Sequence, residues 1–336
     1  MGGVAAGHPS RTTESEQRMA EKSLRVCVVG AGAVGLVYTL YLHRGGARVS
    51  LLVKPEQADR CRKGWSLHHL RAGGRRDTES VPELPILSEV DAVATGEFDQ
   101  IWITVASDAL RAPWLGQLLS ASHRATVVLV QPDLDDRGLV LAHVPERRLV
   151  QGLIGFLSFQ SPLPGTPDLP AGIAYSLLPF GASTFDGAEA DAVVSALRHG
   201  GFSARLGSDL VGRSAERSAT SVPIVAGLEA AGWSLSAFSR GPWLGRSLSA
   251  SREALATVAV TLDRPPAAIA RVLHPLAVRL GLAAGRRLSP FDLEAYLSFH
   301  FTKVGAQTRL MLETYRAHAQ AAGLPSEALQ QLREAL

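Results

Sequence analysis

The stretch Leu24-Arg-Val-Cys-Val-Val-Gly-Ala-Gly-Ala-Val-Gly35 decides the fold of this chain. It joins a short apolar run, typical of a buried strand, to three glycines with the spacing G-x-G-x-x-G. A helical pattern of apolar residues follows over 36–44, and a second strand pattern over 47–53. A strand, a glycine turn, a helix and a strand within about 30 residues form the context in which this spacing indicates a dinucleotide-binding turn.

The three glycines have different expected roles. Gly30 makes the tight turn, Gly32 lets the backbone approach a pyrophosphate, and Gly35 allows the helix to pack closely on the strand. The N-terminus of the helix then offers free N–H groups to the phosphates. An ordinary strand–loop–helix connection with chance glycines is the alternative. The residues expected to hold the pyrophosphate are Gly30, Ala31, Gly32, Ala33, Val34 and Gly35.

The end of the second strand bears on the choice of cofactor. A site for NAD usually has Asp or Glu at this place, which holds the ribose 2′-hydroxyl. Here the strand ends in Val53-Lys54-Pro55, with Arg60 and Arg62 soon after. Lys54 suits a 2′-phosphate, so the sequence favours NADP(H), although Glu56 is a competing acid and Lys54 alternatively an ordinary loop lysine.

Further α/β units follow along the chain. Strand patterns at 98–105 and 125–131 flank a helical pattern at 108–121, and a turn follows at 132–136. Ligands of such sheets bind beyond the carboxyl ends of the strands. The strand-end residues expected near the nicotinamide half of the cofactor are Thr104, Val105 and Gln131, with Asp133 in the turn.

The second half of the chain changes character. Several strands and one helix over 149–206 complete the first domain, and from Asp209 onward the pattern is helical, with an expected kink at Pro223. The last long helix is expected to begin at an N-cap, Ser289, and to stop at Gly323. The predicted fold is an α/β Rossmann-type N-terminal domain plus an all-α C-terminal domain. The expected boundaries are 1–22 for a disordered tail, 23–207 for the NADP-binding domain and 208–336 for a helical substrate and dimerisation domain.

Composition excludes several classes. The longest uncharged stretch, 149–167, contains three prolines, so no membrane span is expected. The first 22 residues carry no apolar core of a signal peptide, and two cysteines make no disulfide framework, which favours the cytoplasm. Basic residues are scattered rather than interleaved with aromatics, so nucleic-acid binding is not expected. No metal site is expected, because His68 and His69 are adjacent.

The layout as a whole resembles the ketopantoate reductase family. The residues that carry the resemblance are the glycine turn, the basic Lys54 after the second strand, the Thr104-Val105 strand end, the segment 223–228, and the Ala-Ala-Gly-Leu-Pro run around Gly323. It covers residue 23 to the end. The resemblance implies a Rossmann domain followed by a helical domain, and reduction of a 2-keto acid by NADPH.

The sequence departs from that family where its chemistry lies. Family members use a central-helix lysine as proton donor, asparagines that order the site, and a last-helix glutamate. This chain has no lysine between Lys63 and Lys303 and no asparagine at all. Ser214 or Arg217 takes the position of the lysine, depending on the residue at which the two sequences are anchored. Pro132 stands where the family has an asparagine. Gln307 stands at the position of the glutamate. We therefore expect a divergent member that lacks the family's catalytic set.

The last helix offers polar residues of its own. Tyr296, His300, Lys303 and Gln307 follow one another at spacings of four, three and four, which places them on one face of a helix. A partly buried Lys303, or His300 near neutral pH, is a candidate proton donor. The candidate catalytic residues are Lys303, His300 and Gln307. A solvated face, or a core histidine with an extended lysine beside it, is an equally good interpretation.

The predicted function is an NADPH-dependent reductase of a small C=O or C=N compound other than ketopantoate. Reduction of an iminium needs less help from a proton donor, and Asp133, Asp135 and Asp136 suit a cationic substrate, although turn and cap chemistry explains them better. Two alternatives stay open: a non-redox protein that binds NADP(H) as a structural cofactor, a cyclase or a pseudoenzyme, and a genuine 2-dehydropantoate 2-reductase. A homodimer through the helical domain is the expected assembly.

Overall fold

The computed structural model describes residues 23–165, 169–177 and 181–336. An α/β domain built on two sheets is followed, from about residue 207, by a domain made of helices. The predicted fold class is therefore confirmed. The tail expected over 1–22 lies outside the described residues, and the domain boundaries stay predictions.

The strands of the described residues divide between two sheets of eight and four strands. They are β1 Arg25–Val29, β2 Arg48–Leu52, β3 Trp65–Leu70, β4 Arg76–Val81, β5 Ile86–Leu87, β6 Gln100–Ile103, β7 Thr126–Leu129, β8 Leu149–Leu153, β9 Phe156–Ser161, β10 Gly172–Leu177, β11 Ser183–Asp186 and β12 Ala204–Leu206.

The larger sheet has the order β12-β11-β8-β7-β6-β1-β2-β5. Strand β1 lies between β2 and β6, and both pairings are parallel, as are β6 with β7 and β7 with β8. The central strands are continuous runs of buried Val, Ile and Leu, which is what a parallel sheet covered on both faces requires. Their carboxyl ends consequently meet at one edge, which begins with Gly30 after β1.

The smaller sheet, in the order β4-β3-β10-β9, was not expected from the sequence. Strands β3 and β4 lie between β2 and β5 in the chain, whereas β9 and β10 follow β8. Strand β10 joins the two pieces because it pairs parallel with β3 and antiparallel with β9. This sheet brings β9 up to the helical domain.

Helices of the first domain cover the larger sheet. They are α1 Ala33–Arg44, α2 Ala58–Arg62, α3 Asp91–Thr95, α4 Trp114–Ala121, α5 Asp136–Leu141 and α6 Ala190–His199. The helix expected over 108–121 is split into a 3₁₀ turn, Ser107–Arg111, and α4. Ala112 between them is extended, because the residue before a proline is forced out of the helical region and Pro113 follows.

The second domain is built around two long helices. Its helices are α7 Leu210–Ala230, α8 Leu235–Arg240, α9 Trp243–Thr261, α10 Ile269–Val272, α11 Pro275–Leu288, α12 Leu293–Lys303, α13 Gly305–Ala321 and α14 Glu327–Glu334. Small buried residues such as Ala219, Ala226, Ala250 and Ala254 allow α7 and α9 to approach closely. Helix α7 is one helix through Pro223. Among the described residues, no helix combines the length and apolarity needed to cross a bilayer.

The expected single last helix is wrong in two respects. Ser289 ends α11, and the N-cap of α12 is Asp292, whose carboxylate accepts a hydrogen bond of 3.0 Å from the Ala295 amide. The helix is also broken at Val304, and a second helix begins at Gly305. Glycine favours the break because it stabilises a helix interior less than other residues. Gln307 therefore lies on a different helix from the other polar residues of the predicted row.

Candidate functional site

The glycine turn is tightly fixed against the loop after β6. Gly30 has a φ of +98°, a conformation that L side chains rarely adopt, and a Cβ atom there would lie 2.8 Å from Cγ1 of Val105. A Cβ atom on Gly35 would overlap the Gly30 carbonyl oxygen and the Thr104 hydroxyl. That hydroxyl donates to the carbonyl oxygens of Val29 and Gly30, at 2.8 and 3.1 Å. Thr104 thus stabilises the turn from behind.

Gly32 differs from its two neighbours in having open space around it. It is exposed, it precedes the first residue of α1, and no atom lies within 4 Å of the position of a Cβ atom there. No side chain caps the helix, and its first turn carries no acidic residue. The free N–H groups and the positive end of the helix dipole therefore face this space. The positive end of the helix and the open space at Gly32 both suit a pyrophosphate.

Gln131 has its polar atoms engaged with the backbone. Its Nε2 donates to the carbonyl oxygens of Ile103 and Val105 at 2.9 and 2.7 Å, and its Oε1 accepts from the Val130 amide at 3.1 Å. It clamps the ends of β6 and β7 together. Its expected contact with the cofactor stays a prediction.

Lys54 stands at the end of β2 and is exposed. Its backbone carbonyl accepts a hydrogen bond from the Gln57 amide at 2.9 Å, which begins a 3₁₀ turn. Of the two arginines that follow, Arg62 is paired with Asp59. Lys54 therefore lies just beyond the carboxyl end of β2, and its contact with a ribose phosphate stays a prediction.

A charged cluster lies beyond the ends of β6 and β7. Arg111 forms ion pairs with Asp133 and Asp136, two carboxylates that are almost wholly buried. The Ser107 hydroxyl donates to Asp136 at 2.6 Å, and so does the Asp133 amide at 3.0 Å. Burial raises the pKa of Asp136 to about 6, against the opposing effects of Ser107 and Arg111. These two acids are thus engaged by the arginine.

The helical domain is hydrogen-bonded to the same two loops. Oε1 of Gln307 accepts from the Ser107 amide at 2.8 Å, and Nε2 of His318 lies 2.7 Å from Asp135. The Ser218 hydroxyl, on α7, lies 3.0 Å from the Pro132 carbonyl oxygen and 2.7 Å from the Tyr315 hydroxyl. The expected candidate Gln307 therefore joins the two domains. All three acids of the turn at 132–136 have cationic or imidazole partners.

A second cation stands where β8 ends. Nη1 of Arg217, on α7, donates to the carbonyl oxygen of Ile154 at 2.8 Å. The guanidinium lies between the domains, surrounded by protein and still open to solvent. Its charge acts on Tyr38 of α1 and on Tyr296 of α12. Of the two residues weighed for the family's lysine position, Ser214 is buried and Arg217 reaches this cleft.

The remaining members of the predicted polar row have different surroundings. His300 stacks on Tyr296 with ring centroids 5.3 Å apart. Burial, and then the charge of Lys303, lower its pKa to about 4, so at neutral pH it is uncharged and is not an imidazolium acid. Lys303 is exposed, contrary to the partial burial expected, and its Nζ lies 3.5 Å from Oε1 of Gln160.

Sequence reasoning missed the two arginines of this cleft. Arg111 was hidden inside a predicted helix, and only the 3₁₀ turn before Pro113 aims it at the carboxylates. From the sequence, Arg217 stands out only as one of two residues that could occupy the position of the family's lysine. The available signal was the excess of arginine over lysine at strand ends and on the central helix, but pairing across distant segments is not visible in one sequence.

Comparisons with known proteins agree with this architecture. Residues 26–166 match the family model described as ketopantoate reductase PanE/ApbA. A 2-dehydropantoate 2-reductase from Geobacter metallireducens GS-15 is 15% identical, with a TM-score of 0.69, over 93% of this chain and 99% of that one. A PanE/ApbA family ketopantoate reductase from Ralstonia eutropha JMP134 is 16% identical, with a TM-score of 0.67, over 93% and 96%.

A third similar structure is D-mandelate dehydrogenase with NADH and anilino(oxo)acetate, 15% identical with a TM-score of 0.67 over 93% of this chain and 96% of that one. No curated protein sequence matches the chain. The fold and the glycine turn define a two-domain protein of the class that joins an α/β sheet domain to a helical domain. Within that class, residues 26–166 are similar to the ketopantoate reductase family.

Two glycine substitutions separate folding from cofactor binding. We expect Gly32→Ala to have the same unfolding temperature as the wild type, because its Cβ atom meets open space. Its Kd for NADPH should rise by about tenfold or more, which corresponds to a loss of ~1.4 kcal/mol of binding free energy. Gly35→Ala should lose about 1–3 kcal/mol of stability through overpacking. Thermal unfolding and fluorescence titration with NADPH measure both. Normal NADPH affinity in Gly32→Ala would contradict the assignment of this space to the pyrophosphate.

The buried ion pairs predict a large loss of stability in Arg111→Met. This change leaves Asp133 and Asp136 buried without their cation, which should lower the free energy of unfolding by about 3–5 kcal/mol. Arg137→Met is the matched control, because Arg137 pairs with a mostly exposed Glu146 and should cost less than about 1 kcal/mol. Denaturant titration compares them, and equal losses in the two variants would refute the structural role of the cluster.

Proposed function

We propose that this protein is an NADP(H)-dependent reductase of a small carbonyl compound other than ketopantoate. The observation that carries the proposal is the open, uncapped N-terminus of α1 at Gly32, held in place by the close contact of Gly35 with Gly30 and Thr104. This arrangement offers a dianionic pyrophosphate free N–H donors and no competing side chain.

The residues that would hold the cofactor follow from the same edge of the sheet. The turn from Gly30 to Gly35 would bind the pyrophosphate, and Lys54 would bind a 2′-phosphate at the end of β2. Thr104 and Val105, at the end of β6, would flank the nicotinamide half, and Gln131 would fix the loop beneath it. When bound, NADPH supplies the hydride. The protein's part is to hold the carbonyl beside it and to supply a proton.

The charges in the cleft favour a C=O substrate over a C=N substrate. The carboxylates of Asp133 and Asp136, which suited a cationic iminium, are engaged with Arg111. The charge that remains open to the cleft is the guanidinium of Arg217, which repels a cation and attracts a developing alkoxide. A ketone or aldehyde therefore fits the site better than an iminium.

Ketopantoate itself is disfavoured by the residues present. The resemblance implies a lysine, asparagines and a glutamate for that substrate. The chain contains no asparagine, and Arg217 stands in the cleft where the lysine is implied. Gln307 is hydrogen-bonded to the Ser107 amide. We therefore propose a different small carbonyl compound as substrate.

The test is consumption of NADPH. Purified protein is incubated with NADPH and a panel of ketones, aldehydes, 2-keto acids including ketopantoate, and cyclic imines, and the absorbance of NADPH is followed. Carbonyl-dependent oxidation, with ketopantoate weak, supports the proposal. Tight binding of NADPH without consumption over the whole panel would identify a non-redox protein, and efficient turnover of ketopantoate would identify a 2-dehydropantoate 2-reductase.

Lys54 gives a prediction about the choice of cofactor. Lys54→Ala should raise the Kd for NADPH by about tenfold and leave the Kd for NADH unchanged, because a hydrogen bond to a charged group contributes about 1.5–3 kcal/mol. Lys63→Ala, another exposed lysine of the same domain, is the control. Fluorescence titration with both cofactors measures the effect. Equal weakening of NADPH and NADH would exclude a contact between Lys54 and the 2′-phosphate.

We also propose a homodimer through the helical domain, in the cytoplasm. Leu276, Leu280 and Leu288 on α11 are 57%, 61% and 78% exposed, and an exposed apolar row of this kind is typical of a contact surface. Sedimentation equilibrium should give a dimer for the wild type and a monomer for the double variant Leu276→Ser, Leu280→Ser. Because α11 carries several arginines, salt should strengthen the dimer by screening their repulsion.

A further inference from the structure

Tyr296 stands apart from the other tyrosines of the chain. The protein has five tyrosines, and the hydroxyls of four are hydrogen-bonded to other side chains. Tyr38 bonds to Ser183, Tyr41 and Tyr175 bond to each other, and Tyr315 bonds to Ser218. Within the described part of the chain, no group hydrogen-bonds to the hydroxyl of Tyr296, although the residue is only 5% exposed. This hydroxyl is not one of the fully enclosed unpaired atoms, so it keeps contact with solvent and is accessible to a ligand.

The ring of Tyr296 is held rigidly. Its centroid lies 5.5 Å from that of Phe159 on β9, 5.1 Å from Phe291 and 5.3 Å from His300. Aromatic contacts on three sides leave the hydroxyl as the free end of a fixed side chain. A group on such a fixed side chain loses little conformational entropy when it binds a ligand.

Arg217 provides a positive charge that acts on Tyr296, and the helices that carry the two residues, α7 and α12, are in contact. The guanidinium is fixed by the Ile154 carbonyl oxygen, at the edge where the sheet would present a nicotinamide. Burial raises the pKa of Tyr296, and the positive charge of Arg217 opposes that rise. The phenol is consequently protonated at neutral pH and has a neighbour that stabilises its anion. A phenol that is protonated at neutral pH can donate to a developing alkoxide, which is a stronger base, and the charge of Arg217 favours the anion that is left.

The other candidate proton donors lack these two properties. His300 is neutral at pH 7 because of burial, and Lys303 is exposed at the end of α12, close to Gln160. Gln307 carries no ionisable proton and is bonded to a backbone amide.

We propose that Tyr296 is the proton donor of the carbonyl reduction and that Arg217 acts as its electrostatic partner, an inference that rests on the proposed function. When bound, NADPH would supply a hydride to the carbonyl carbon, and the C=O π electrons would move to oxygen. The O–H bond of Tyr296 breaks as its proton forms the alcohol, which leaves NADP⁺ and a tyrosinate beside Arg217. A proton from water restores the phenol.

The first experiment removes the proton and keeps the ring. Tyr296→Phe should reduce kcat by about 10²–10⁴ with an unchanged Kd for NADPH and unchanged thermal unfolding. Tyr175→Phe, which loses a buried hydroxyl that is already bonded to Tyr41, is the matched control and should keep its activity. If Tyr296→Phe keeps the activity of the wild type, the assignment of Tyr296 as proton donor is overturned, and the proposed function is not affected. If none of the carbonyl compounds causes the wild type to oxidise NADPH, the proposed function is overturned as well. The two failures are therefore distinguishable.

The second experiment needs no substrate or cofactor. A fluorotyrosine, whose phenol is more acidic, replaces Tyr296, and its ionisation is followed by ultraviolet absorbance. In Arg217→Met the midpoint should rise by about one pH unit or more, because an opposite charge is lost, and Arg217→Lys should restore part of the shift. Activity in Arg217→Met should fall with a displaced pH profile, whereas a purely structural role would lower activity equally at every pH. An unchanged midpoint in Arg217→Met overturns the pairing.

Discussion

The close contact between the first turn of α1 and the strand end below it is the constraint on which the rest of this structure depends. Gly35 lies against the Gly30 carbonyl oxygen and the Thr104 hydroxyl, with no room for a Cβ atom. This contact fixes the direction of α1, so its uncapped N-terminus faces the space at Gly32. The same hydroxyl binds the Val29 and Gly30 carbonyls, which ties β6 to the turn. The ligand edge of the sheet is thus built from backbone and one threonine.

The second determinant is the electrostatics of the two loops that follow. Arg111 engages Asp133 and Asp136, and the helical domain reaches the same loops through Gln307 and Ser218. Two carboxylates that would suit a cationic substrate are thereby paired with an arginine inside the first domain. The cleft keeps a different charge, the guanidinium of Arg217. We propose carbonyl chemistry because of which charges remain open, rather than because of the number of charges near the site.

Much of the fold was predictable, for reasons that are local. Strands β1, β2, β6 and β7 are apolar runs bounded by turn residues, and their predicted limits agree with the structure to within one or two residues. The smaller sheet was missed because β3 and β4 lack a clear alternation of apolar and polar residues, and because β3 pairs with a strand about a hundred residues away. The break at Val304 was missed because an apolar pattern continues across it.

The sequence by itself determined the class of domain and the turn at which we expect a cofactor, because glycine spacing acts through backbone conformation within a few residues. It also determined what chemistry is absent, since a chain without asparagine and without a central lysine cannot use either. The tertiary structure alone decided which polar residues are available. Gln307 became a link between domains, Lys303 an exposed residue, and Tyr296 a buried residue whose pKa is affected by the charge of Arg217. The physical reason is that availability depends on burial and on pairing between segments far apart in the chain.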